Sequence, residues 1–151
     1  MGNGRKIWGG RVAGGPPIGE PFIWKTLRLI SSDAWRFRSI HCTRLLDFLE
    51  IEHLRHGGVE NGALVAPYNQ LETFGIGRRF ISKTIAEAET RKLVEVKRGG
   101  LKGRGMSDLS RFRLTYCWTK SRVNGLWDWH LPTDDWQTYK EPGHQIISAP
   151  S

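Results

Sequence analysis

A chain of 151 residues, 38% of them hydrophobic, has the length for one domain with a real core plus tails. No apolar run approaches the ~20 residues that a membrane span needs, and Arg5, Lys6 and Arg11 precede no apolar segment of a secretory signal. A net charge of +8 and a pI near 9.9 point to a polyanionic partner, nucleic acid or an anionic membrane surface.

Residues 1–21 are rich in glycine and proline and read as a flexible basic arm with Trp8 among its cations. Such an arm suits a phosphate backbone or a minor groove, although an unstructured leader is the plainer reading. From Phe22 to Ile30 the chain turns apolar and predicts a short element packed on the domain. Ser31, Ser32 and Asp33 supply N-cap chemistry for the longest helix. Trp35, Ile40, Cys42, Leu45, Leu46, Phe48 and Leu49 recur on it at helical spacing, and Gly57-Gly58 ends it. Asn61-Gly62 predicts a turn and Ala63-Leu64-Val65 a short strand.

Pro67 suits the first position of a two-turn helix reaching Phe74. Gly75-Ile76-Gly77 is a tight connection, and a second helix runs from about Arg78 to Lys92 with Ile81, Ile85 and Ala88 buried. Short helix, glycine turn, second helix is the helix-turn-helix pattern. Leu93–Lys97 and Phe112–Tyr116 then alternate as strands around a polar loop, Gly99–Leu109, with four glycines. Residues 22–120 therefore predict an α+β winged helix-turn-helix domain with a three-helix core and a β-hairpin wing. Residues 121–151, aromatic and acidic, predict an extension that folds back on that domain.

The charge is concentrated in this pattern. Between Arg78 and Lys120, twelve Lys and Arg stand against four acids, Glu87, Glu89, Glu95 and Asp108, and the remaining residues balance. The exposed face of the second helix is expected to carry Arg78, Arg79, Ser82, Lys83, Ala86 and Glu87. Its first turns suit base edges, where Arg pairs bidentately with guanine, and its N-terminus suits phosphate. In the wing, Lys97, Arg98, Lys102 and Arg104 alternate with glycines that let the backbone approach a ribose-phosphate surface. Arg111 and Arg113 fall on one side of the return strand, where they extend the patch or one pairs with Glu95.

Other chemistry finds little support. His41-Cys42 and His53-x-x-His56, with Glu50 and Glu52, match no HExxH or CxxC spacing, so no metal is predicted and these histidines read as solvent-facing or satisfied. No nucleophile elbow, Walker A or dinucleotide fingerprint occurs, so neither an enzyme nor a cofactor is expected. Cys42 and Cys117 lack redox or metal spacing and read as reduced thiols of a cytoplasmic protein. Trp24, Trp35 and Trp118 are expected in or beside the core. Trp127, Trp129 and Trp136 are expected to offer a surface to a protein partner or a second copy.

Several stretches resemble a family of small bacterial winged-helix proteins, common in genomes rich in plasmids and integrative elements. They are Ala34–Arg36, Leu46–His53, Gly57–Gly62, Tyr68–Leu71, Phe74–Ile76 and Arg111–Tyr116, with a weaker echo at Pro132–Trp136. The likeness covers about residues 21–120, and more loosely the chain is similar to the winged helices of plasmid replication initiators. It implies a winged-helix fold and delivers no function by itself; double-stranded DNA as partner is expected from the basic helix and wing. The expected function is sequence-specific DNA binding by a transcriptional regulator. The alternatives are a replication or recombination accessory factor of a mobile element, and a winged helix turned to protein–protein contact.

Overall fold

The computed structural model describes residues 19–99, 101–102, 106–107 and 109–143, with the side chains of 101–102 and 106–107 excepted. The N-terminal arm, Arg104 and the side chain of Lys102 lie outside the described residues. Within them the protein is α+β, with five α-helices and antiparallel hairpins. None of those helices is long and apolar enough to cross a membrane.

The helical part begins with two single turns, α1 (Leu27–Ile30) and α2 (Asp33–Arg36), and continues into α3 (Ile40–Arg55). The expected long helix is therefore split. Ser32 caps only α2, its hydroxyl accepting from the Trp35 N–H, and Ser39 caps α3 by accepting from the Cys42 N–H. A serine that bonds its own downstream backbone competes with helix continuation, which accounts for the break. The carbonyls of Trp35 and Phe37, released there, accept from the guanidinium groups of Arg38 and Arg91. The split leaves Ile40 exposed, whereas Cys42, Leu45, Leu46, Phe48 and Leu49 form the buried stripe of α3. Gly57 and Gly58, both at positive φ (72° and 74°), close the helix as expected.

Pro67 precedes α4 (Tyr68–Thr73) as its cap residue, and Gly75 (φ 116°) turns the chain into α5 (Arg78–Thr90). Ile76 within that turn is fully buried, and α5 lays Ile81, Thr84, Ile85 and Ala88 on the core. Strand β1 (Val94–Lys97) pairs antiparallel with β4 (Arg111–Leu114), so the return strand stops two residues short of Tyr116. The glycine loop between them is not all loop: β2 (Leu101–Lys102) pairs with β3 (Met106–Ser107). The strand expected at Ala63–Val65 reduces to one bridge, Leu64 to Phe112. Asn61 beside it is buried and acts as a clasp. Its Oδ1 accepts from the Leu114 N–H (2.7 Å) and its Nδ2 donates to the Leu114 and Cys117 carbonyls (3.0 and 3.2 Å).

A second hairpin, β5 (Thr119–Val123) and β6 (Leu126–His130), turns through Asn124-Gly125, both at positive φ. Asn-Gly is the preferred pair for such a two-residue turn. A domain boundary at residue 120 therefore falls inside β5. The chain after β6 does fold back on the domain. The Asp134 N–H donates to the Thr115 carbonyl, a short 3-10 turn (Asp135–Thr138) buries Trp136, and the Glu141 N–H donates to Asp33. Tryptophan burial departs from expectation. Trp35 is in the core, but Trp24 (69%) and Trp118 (46%) are exposed, while Trp136 (3%) is core and unavailable as a partner surface.

Candidate nucleic-acid interface

Helix α5 sorts its faces by period. At about 100° per residue, Arg78, Arg79, Ser82 and Lys83 span an arc of roughly 140° that the buried residues leave free. All four are exposed. Gly77 offers no side-chain cap and the first turn holds no acid, so the positive end of the helix dipole is uncompensated by side chains. Arg79 lies over the Phe80 ring (4.7 Å), which stacks on His41 (4.8 Å, 20° between planes). Arg78 lies over Tyr68 (5.8 Å) and stands 4.0 Å from Glu72. Glu87 does not belong with this exposed group. It is half-buried and accepts from the N–H and hydroxyl of Ser39 (2.8 and 2.6 Å) and from Arg91 (3.0 Å). Burial pushes its carboxyl upward, but these bonds outweigh burial and hold it below its ordinary range.

The β1–β4 hairpin presents Glu95, Lys97, Arg111 and Arg113 on one face, and Val94, Val96, Phe112 and Leu114 on the other. Lys97 and Arg111 are direct cross-strand partners, and both are exposed. Two cations on one rung repel each other unless an anion lies across them. The neighbouring rung is closed. Arg113 donates to Glu95 (2.8 Å) and Thr133 (2.9 Å), and stands 3.8 Å from Asp135. Arg98 forms a two-nitrogen pair with Glu89 (2.6 and 3.3 Å). Arg91 is buried between Glu87 and Glu141.

Segment counting thus overstates the open charge, because Glu72, Asp135 and Glu141 come from outside the segment to neutralise cations within it. Among the described residues of this segment, Arg79, Lys83, Lys92, Lys97, Arg111 and Lys120 carry no ion pair. Of these, Arg79, Lys83, Lys97 and Arg111 belong to the first turns of α5 and the β1–β4 rung, whereas Lys92 donates to Thr138 and Lys120 lies over Trp127 and Trp129. A cleft of about 280 Å3 joins the two elements, lined by Ser82 of α5, Arg98 and Ser110 of the hairpin, and Tyr68 of α4. Tyr68 is a site residue that charge and motif reasoning passed over, and its place at the start of a helix after proline was the available signal.

No family model, curated protein or solved structure matches the chain.

Burial pushes the thiols of Cys42 and Cys117 up to about 12, which keeps them protonated. Among the described residues no group of three His, Cys, Asp or Glu is arranged to hold a metal. His53 departs from expectation, whereas His56 is exposed and hydrogen-bonded as expected. His53 is buried, its Nδ1 lacks a hydrogen-bond partner, and burial lowers its pKa; His56 Nδ1 bonds the Glu52 carbonyl. Glu50 is committed to Lys25 (3.0 Å) and the Tyr116 hydroxyl (2.5 Å).

Proposed function

We propose that the protein is a winged helix-turn-helix DNA-binding protein that recognises a specific double-stranded sequence as a transcriptional regulator. Helix α4, the Gly75 turn and α5 form the helix-turn-helix in this reading, and the β1–β4 hairpin forms the wing. The observation that carries it is the Lys97–Arg111 rung, a repulsive pair relieved by a bound polyanion, on a hairpin that shares a cleft with the first turns of α5. Arg79 and Lys83 then meet base edges and phosphates in the major groove, with Ser82 between them, while Lys97 and Arg111 hold the flanking backbone. Arg78, partly drawn to Glu72, and Arg98, held by Glu89, contribute less, and Arg113 serves the fold.

Selection of bound fragments from genomic DNA, with the wild type and an Arg79→Ala/Lys83→Ala variant, tests recognition. The expected result is one enriched motif for the wild type and at least a tenfold loss of affinity for it in the variant. If Arg79, Lys83, Lys97 and Arg111 meet phosphates, log K falls against log salt with a slope of about −4. Affinity indifferent to salt, or to the double substitution, would sink the reading.

A further inference from the structure

A cavity lies away from α5 and the β1–β4 hairpin. It holds about 650 Å3, within the roughly 300–1,000 Å3 of small-ligand pockets. Two aromatic pairs line it: Phe22 with Trp24 from the segment before α1 (rings 5.6 Å apart), and Trp118 with Trp129 from the second hairpin (6.5 Å). His53, more than nine-tenths buried and with no partner for Nδ1, also lines it. In a chain of net charge +8, the charged side chains lining this cavity are both acids, Glu20 and Asp134.

Nearby cations do not line it, although Arg28 and Lys120 reach two of its wall groups, Asp134 and Trp129. Lys25 bonds Glu50, Arg28 bonds Gln137 and stands 4.0 Å from Asp134, and Lys120 lies over Trp127 and Trp129 at 4.8 and 4.7 Å. Burial keeps His53 neutral, so it adds no positive charge to the wall. Aromatic faces attract cations through the ring quadrupole, and desolvation strengthens that attraction. Asp134 keeps its Oδ2 toward Arg28 and accepts the Trp136 indole N–H at Oδ1, while Glu20 is exposed.

From these observations we infer that the cavity between the Phe22–Trp24 segment and the Trp118–Trp129 pair binds a lipophilic organic cation. The inference stands independently of DNA binding. Tetraphenylphosphonium and tetraphenylborate share a shape and differ in sign, and both can be titrated calorimetrically into the full chain at 0.3 M salt. The cation should bind at least tenfold tighter than the anion. Trp24→Ala removes a ring that is largely exposed, so it spares the core, and it should weaken cation binding at least tenfold. Glu20→Gln and Asp134→Asn should reduce the preference for the cation, the asparagine retaining both the indole acceptor and a tolerance for positive φ. Equal or tighter binding of the anion overturns the inference. So do absence of cation binding and binding that Trp24→Ala leaves unchanged.

Discussion

Glu87 and Arg91 show how a charged residue can serve the fold rather than a partner. Glu87 receives the N–H and hydroxyl of Ser39, so it secures the N-terminus of α3 from another helix, and Arg91 completes the bridge to Phe37 and Glu141. Bonds to a charged group contribute about 1.5–3 kcal/mol each when a partner is removed. Glu87→Ala should therefore cost about 2–3 kcal/mol in urea unfolding at pH 7. A carboxyl held below its ordinary value of 4.5 stabilises the fold fully above that pH and loses this effect as pH falls through the depressed value. The gap between wild type and Glu87→Ala should thus close on acidification below 4.5, and a gap constant with pH would refute the role. Sequence spacing placed Glu87 on the solvent face because helical periodicity registers only neighbours on the same helix. Ser39, the partner that spacing cannot register, is 48 residues away.

At the scale of elements, the β1–β4 hairpin carries a conflict between stability and charge. Lys97 faces Arg111 across the ladder, while Glu95 faces Arg113 in a favourable pair two residues along. Opposite charges at such a position contribute roughly 0.2–1 kcal/mol. Lys97→Glu should raise the melting temperature slightly and, under the DNA reading, weaken DNA binding at the same time. Opposite movement of the two measurements distinguishes a binding surface from a solubilising one. A loss of both would place Lys97 in the fold. Helix α5 and this hairpin were legible in the sequence, since Ile81, Ile85 and Ala88 keep period 3.6 and Val94 and Val96 keep period 2. The second hairpin was equally written in Asn124-Gly125 between Val123 and Leu126, but its strands alternate poorly because every side chain on β6 is exposed.

For the whole molecule, the segment after β6 is part of the domain. Trp136 is buried among core residues, and the segment's ends are held at Thr115 and Asp33. Removing a buried indole costs about 3–5 kcal/mol, so Trp136→Ala should lower stability by that amount in denaturant titration. A shift under 1 kcal/mol would mean that the segment only rests on the surface. The same segment supplies Asp135 and Glu141, the acids that neutralise Arg113 and Arg91.

Composition, periodicity and turn chemistry determined the helix–turn–helix–hairpin order and the part of the chain where positive charge gathers. Each depends on residues within a few positions of one another, which a linear reading registers. Tertiary structure alone decided which cations stay open, which tryptophans are core, and where the aromatic cavity lies. Ion pairing and ring burial are set by groups brought together across tens of residues: Arg91 with Glu141, Arg113 with Asp135, Trp24 with Trp129 around one cavity. Charge is a property of the sequence, but its availability to a partner depends on what folds beside it.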